Sequence, residues 1–375
     1  MIYFHIPFCK QACHYCDFHF STSLQYKDEL LQALQQEIKL RADELTDKTI
    51  PSIYFGGGTP SLLTADEIQQ LIGEVAAHFE IAADAEITLE ANPDDLDKAK
   101  VQALRHTPIN RFSIGIQSFY DEDLRWMNRA HQAAEGEDAI KRVQDAGFEN
   151  LTADLIYGYP LLTDAKWKSN MEKLIALAIP HISSYAMTVE QKTALAHFIR
   201  NGKTAPMQET QSAEQMQMMI ETLTTHGFEH YEISNFAKNG QYAKHNTSYW
   251  QGKHYLGIGP SAHSFNGHSR SWNIANNARY IEGITAGKPH YEAEQLTDED
   301  RFNEYIMTAL RTMWGIDLEK ITTDFGIDYR KHLLTNIQPF IDRQEVELRA
   351  DRYLILSSKG KLLADYIASE LFLIR

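Results

Sequence analysis

Through its first half the chain alternates short runs of β-branched and aromatic residues with longer stretches of helical period, and this regularity constrains the fold most. Strands are expected at Ile2–Ile6, 52–55, 86–90, 112–117, Leu151–Tyr157 and 182–189. Helices are expected at 65–79, 94–104, 134–146, 164–178 and 212–226, and Tyr26, Leu30, Leu34 and Ile38 share one face of another. Such alternation builds an α/β fold around a parallel sheet. Six units over residues 1–230 give a partial (β/α)6 TIM-like barrel, open where an eight-unit barrel closes. Parallel barrels place their chemistry at the C-terminal ends of the strands. Here those ends carry polar or glycine residues: Gly57, Gly58 and Thr59 after the second strand, Glu90 on the third, Gln117 on the fourth and Asp154 within the fifth.

After about residue 230 the alternation stops. Residues 231–295 read as a connecting region, loop-like over 248–273 and rich in Gly, His, Ser and aromatics. Residues 296–375 read as a separate small α+β module, with helices at 300–313, 318–325 and 329–341. A hairpin at Val346–Arg349 and Tyr353–Leu356 and a last helix over 358–371 complete a winged-helix-like pattern. That module carries 14 acidic against 11 basic residues, and the whole chain a net charge of −15. Neither balance suits nucleic acid, whose phosphates reward clustered Lys and Arg. No apolar run reaches the ~18–20 residues of a membrane span, and nothing at the start reads as a leader. The expected setting is the cytoplasm.

The chain has three cysteines, Cys9, Cys13 and Cys16, spaced C-x3-C-x2-C in one loop after the first strand. An odd cysteine number in a chain without a leader argues against disulfides. Clustered thiolates bind soft metal centres. A structural zinc or an all-protein iron–sulfur cluster takes four protein ligands, whereas three leave one metal position for a non-protein ligand. A [4Fe–4S] cluster with one open iron fits that count. A zinc site completed by His5, His14 or His19 is the rival, and it would make the chain a non-catalytic zinc-binding interaction protein.

The spacing resembles that of the radical S-adenosylmethionine (SAM) proteins. The opening Tyr3-Phe4-His5-Ile6-Pro7-Phe8-Cys9 and the C-terminal module resemble the oxygen-independent coproporphyrinogen III oxidase branch, so the likeness spans nearly the whole chain. It implies SAM chelated at the open iron, Gly57, Gly58 and Thr59 along its methionine part, and Glu90, Gln117 and Asp154 holding its polar groups. It further implies that Arg129, in Met127-Asn128-Arg129-Ala130-His131, pairs with the SAM carboxylate, while Tyr3 and Tyr15 flank the cluster and order SAM by packing on it. The bound cofactor would supply the hard chemistry and the protein its orientation.

Two departures separate the chain from the oxidases. They carry a fourth cysteine two residues after the third, where this chain has Phe18, and a longer segment ahead of the cluster loop. A third feature, His245-Asn246-Thr247-Ser248-Tyr249-Trp250, matches the HNxxYW motif associated with heme binding in the HemW-type heme chaperones. A histidine can ligate heme iron, and the neighbouring aromatics offer flat surfaces to a porphyrin. The resemblance therefore implies heme held at His245 and delivered to a heme-accepting client, with a reducing electron donor, and it allows a homodimer. Coproporphyrinogen III oxidation in porphyrin biosynthesis is the enzymatic alternative.

Overall fold

The computed structural model describes residues 1–374; the last residue of the expected C-terminal module, Arg375, lies outside the described residues. Six parallel strands form the barrel: β1 (Ile2–Ile6), β2 (Thr49–Gly57), β3 (Glu80–Ala91), β4 (Arg111–Gln117), β5 (Leu151–Tyr157) and β6 (His181–Ala186). They are the six that the alternation marked, in sequence order across the sheet. β1 and β4 are buried almost end to end, as strands covered on both faces must be. The helix Lys27–Arg41 joins the barrel core through Leu30, Leu34 and Ile38, all fully buried, while Tyr26 stays 41% exposed just ahead of its first turn.

The sheet is longer than six strands. At one edge β8 (Asn235–Ala237) pairs antiparallel with β6 and β7 (Glu229–Glu232) antiparallel with β8, and at the other β9 (Leu256–Ile258) adds parallel to β1. β9 falls inside the stretch read as loop. Two further short strands, His263–Phe265 and Ser269–Asn273, and part of the helix Lys244–Trp250 lie there too. Strands of three to five residues show too little periodicity to be seen in advance. A buried charge network ties this region to the first helix. Arg41 donates to Glu37 (2.8 Å) and to the Gly257 carbonyl (3.0 Å), and Glu37 accepts from the Gly259 amide (2.8 Å).

The C-terminal module has its own apolar core, built from Phe302, Ile306, Ile321, Leu333, Ile337 and Leu354 among others. Its helices Asp298–Leu310, Leu318–Asp324 and Ile327–Asp342 pack on a three-stranded antiparallel sheet that includes Val346–Arg349 and Tyr353–Leu356. It docks on the β7–β8 edge by backbone bonds, Ile233 N–H to the Arg311 carbonyl (3.0 Å) and Met313 N–H to the Tyr231 carbonyl (2.9 Å). The last helix differs from expectation. It is interrupted, as Ser358–Lys361 and Ala364–Leu371, which leaves Leu362 and Leu363 exposed between the two pieces. No helix among the described residues is long and apolar enough to cross a membrane.

Candidate functional site

A cavity of about 830 Å3 opens at the C-terminal ends of the barrel strands. The cysteine loop forms one wall, strand ends the floor, and residues 361–366 of the C-terminal module another wall. Cys9, Cys13 and Cys16 all line it as free, half-buried thiols.

The cysteine loop is pinned from two sides. Cys9 N–H bonds the Ser21 carbonyl (3.0 Å) and Ser21 N–H the Pro7 carbonyl (2.8 Å), closing the loop on itself. His14 N–H bonds the Met127 carbonyl, and Asn128 donates from Nδ2 to the Ala12 carbonyl (2.7 Å). Asn128 is left-handed (φ 59°) at the end of the helix Asp121–Met127, a conformation Asn tolerates better than most residues. Lys10 pairs with Asp94 (2.8 Å) and Asp95 beyond β3.

The glycines after β2 serve packing first. A Cβ on Gly58 would meet the Phe8 carbonyl oxygen at 2.7 Å and that of Ile6 at 2.9 Å, and one on Gly57 (φ 105°) the His5 ring at 2.7 Å. They let the β2 end lie against the cysteine loop, while Gly57, Gly58 and Thr59 still line the cavity.

On the floor, Glu90 accepts from the Tyr54 hydroxyl (2.7 Å) and Asp154 from the Ser113 hydroxyl (3.2 Å). Burial pushes Glu90 up to about 7, against the Tyr54 hydrogen bond and with the charge of Asp154 adding to the rise. Burial likewise pushes Asp154 up to about 6. Gln117 ends β4 with φ 64°, a left-handed turn costly for a non-glycine residue. Gly115 is needed beside it, since a Cβ there would meet Gln117 Nε2 at 2.9 Å and Arg129 Nη2 at 3.1 Å.

Arg129 Nη2 donates to Asn92 Oδ1 (2.6 Å) and the Gly115 carbonyl (3.0 Å), and Nη1 reaches Cys13 Sγ at 3.5 Å. Among the described residues its buried Nε has no partner and no carboxylate lies within ion-pair distance. A half-buried guanidinium facing a cavity without an acid partner suits an anionic ligand.

The donor set fits an iron–sulfur cluster. Burial pushes the Cys9 thiol up and Cys16 to about 11, so these sulfurs carry protons that a bound metal would displace. Among the described residues no three His, Cys, Asp or Glu groups are arranged around a single-ion point. Thiolates that each take a different corner of a cubane need no such point. His5, His14 and His19 do not line the cavity; each is hydrogen-bonded elsewhere, to the His19 carbonyl, the Trp126 carbonyl and Asn277 respectively.

Two further residues singled out in the sequence stand back from the cavity. Tyr3 stacks on Tyr54 (centroids 6.2 Å apart) behind the wall. His245 is fully buried, with Nδ1 against the Ser52 hydroxyl (2.8 Å) and Nε2 against the Tyr249 hydroxyl (3.0 Å). The HNxxYW segment nonetheless backs the cavity. The His245 ring lies 5.1 Å from that of Tyr54, and Arg311 sits over the Trp250 ring at 5.4 Å; Tyr54 and Arg311 both line the space. Arg311, Lys361, Tyr185 and Tyr366 are lining residues that no motif marked.

Residues 3–174 match the Radical SAM superfamily and residues 296–363 the HemN C-terminal domain. The fold is that of coproporphyrinogen III oxidase (HemN) from Escherichia coli, a radical SAM enzyme, with a TM-score of 0.85 over 99% of this chain and 89% of that one at 24% identity. Fold and matches together define a radical SAM protein of the coproporphyrinogen oxidase-like type.

Within that class several similar sequences are named heme chaperones. Heme chaperone HemW of Bacillus subtilis (strain 168) is 31% identical, covering 97% of either chain. That of Mycobacterium tuberculosis (strain H37Rv) is 32% identical over 99% of this chain and 94% of its own. That of Escherichia coli (strain K12) is 34% identical over 70% and 69%. The chain belongs to the HemW family of radical SAM proteins.

Proposed function

We propose that this protein is a heme chaperone that holds a [4Fe–4S] cluster on Cys9, Cys13 and Cys16, binds SAM beside it, and passes heme to client proteins. The observation that carries the proposal is the meeting, in one cavity of a HemW-family chain, of three free thiols and an arginine with no acid partner. Arg129 is assigned to the SAM carboxylate, Gly57, Gly58 and Thr59 to its methionine part, and Glu90, Gln117 and Asp154 to its ammonium and hydroxyl groups. Tyr15 packs beside the cluster, and Tyr3 supports that wall through Tyr54. When bound, the cluster and SAM supply one-electron chemistry; the protein orients them and limits their access to water.

Two features favour chaperone over oxidase. The position two residues after Cys16 is Phe18, 67% exposed at the cavity, and the full-length relatives are named heme chaperones. The HNxxYW segment is assigned to heme through the wall it backs, by His245 behind Tyr54 and Trp250 beneath Arg311. Direct ligation of iron by His245 additionally requires Nε2 to leave the Tyr249 hydroxyl.

Anaerobic purification tests the proposal. The expected protein is brown, with about four iron and four sulfide per chain, and loses both when Cys9, Cys13 or Cys16 is replaced by Ala. It should bind heme stoichiometrically, hand it to an apo-hemoprotein faster than free dissociation allows, and leave coproporphyrinogen III unconverted in the presence of SAM and reductant. Stoichiometric zinc without sulfide would install the zinc reading, and SAM-dependent protoporphyrinogen IX formation without heme binding the oxidase.

A further inference from the structure

Among the cations lining the cavity, two have no carboxylate of the described residues within ion-pair distance, and they come from different parts of the molecule. Arg129 belongs to the barrel. Lys361 belongs to the C-terminal module, where the interrupted last helix sets it on the cavity wall. The third, Arg311, is already paired with Glu232 (3.3 Å) and Asp365 (3.0 Å). Lys361 is half-buried and, among the described residues, the one hydrogen-bond partner of its Nζ is His230 Nδ1, 3.0 Å away. Burial drives that histidine well below its usual range, so it accepts from the ammonium as a neutral ring and contributes no charge.

A half-buried ammonium without a counter-charge costs stability, and desolvation lowers Lys361 to about 8. Its surroundings are apolar and aromatic. Leu362, Leu363 and Tyr366 follow it on the same wall, 40%, 37% and 53% exposed, and Tyr185 and Phe18 join them in lining the cavity at 44% and 67%. Exposed large apolar side chains gathered at one cavity mark a ligand surface rather than ordinary protein exterior.

We infer that Lys361, with Arg311 beside it, takes the carboxylate edge of a flat apolar anion whose ring lies against Leu362, Leu363, Tyr366, Tyr185 and Phe18. On the function proposed above, from which the ligand's identity is taken, that anion is heme and the edge is its pair of propionates. Two uncompensated cations then answer two carboxylate-bearing ligands in one cavity, SAM at Arg129 and heme at Lys361. Trp250, stacked under Arg311, becomes a positioning residue, which gives the HNxxYW segment a role in heme binding that leaves His245 buried.

The test is titration of the cluster-loaded protein with hemin and with hemin dimethyl ester, whose carboxylates are masked, followed by Soret absorbance. The wild type should bind hemin at least tenfold more tightly than the ester. Lys361→Gln and Lys361→Met should lose that preference, bind the ester as the wild type does, and bind SAM unchanged. Lys361→Arg should keep most of the preference. Lys361→Gln, whose amide can still donate to His230 Nδ1, should melt no lower than wild type, because it removes a charge that has no counter-charge, so misfolding cannot imitate its result. Equal hemin affinity in wild type and Lys361→Gln, or equal affinity of the wild type for hemin and ester, overturns the inference and leaves heme carriage standing. A wild type that binds no hemin overturns both.

Discussion

At the residue scale the cavity separates groups by what they lack. Arg129 lacks an anion, and Arg129→Ala is expected to weaken SAM binding by ~1.5–3 kcal/mol, the worth of a charge-assisted hydrogen bond; isothermal titration of the anaerobic protein reads this directly, and unchanged affinity would remove Arg129 from the SAM site. Glu90, half-buried on the cavity floor, is short of solvent. Burial raises it from an ordinary 4.5 to about 7, so the folded state holds a proton that the unfolded chain gives up earlier. Its contribution to stability is therefore complete below about 4.5 and is lost as pH rises through about 7. Asp154, raised to about 6, acts in the same direction. Melting temperature should fall between pH 5 and 7.5, and Glu90→Gln should flatten that fall; a variant with the wild-type slope would show that Glu90 is not the group titrating. His245 lacks nothing. With Ser52 and Tyr249 on its two nitrogens and no exposure, His245→Ala should cost about 2–4 kcal/mol of stability with or without heme, through the cavity and the orphaned hydroxyls it leaves. A stable His245→Ala variant with an altered heme spectrum would instead mean that the ring swings out to the iron.

At the element scale, what the sequence revealed and what it hid follow from period and distance. The six parallel strands were legible because each is a buried run between helical stretches. Their order then placed Gly57–Thr59, Glu90, Gln117 and Asp154 at one mouth before any coordinates were needed. β7, β8 and β9 were hidden by their length, and the interruption at Leu362 and Leu363 because two leucines read as helix in any window. That interruption has a local cause nearby, since Gly360 packs so closely on the Glu345 carbonyl that a Cβ would overlap it. Arg311 and Lys361 could not be read as site residues, because only the docking of the C-terminal module on the β7–β8 edge brings them to the barrel mouth. The turn after β2 offers the element-scale test. Gly58→Ala would set a Cβ against backbone atoms of Ile6 and Phe8, which have no free direction to move. The expected cost is about 1–3 kcal/mol, with iron content falling because the displaced backbone carries Cys9. Full iron occupancy at wild-type melting temperature would show that the β2 end and the cysteine loop are not rigidly coupled.

At the scale of the whole molecule, two cores share one cavity. The barrel core and the C-terminal core are separate apolar clusters, and Ile233 packs against both. Each contributes an uncompensated cation to the common space. Ligands at the two cations should therefore leave different footprints. SAM, assigned to Arg129 and the strand ends, should slow hydrogen exchange at 57–59 and 115–117 with little effect beyond residue 350. Hemin, assigned to Lys361 and the apolar wall, should slow exchange over 358–366 and across the β7–β8 edge, where backbone bonds from Ile233 and Met313 carry the docking. Bridging barrel and module, hemin should also draw the two cores toward a single melting transition, because a ligand bound only by the docked state stabilises docking by mass action. Exchange mass spectrometry with each ligand alone separates the footprints. If hemin protects only residues 244–250, the heme site is the HNxxYW helix itself and the C-terminal wall is bystander surface. Protection over 358–366 that vanishes in Lys361→Gln would fix the carboxylate edge of heme on the C-terminal module.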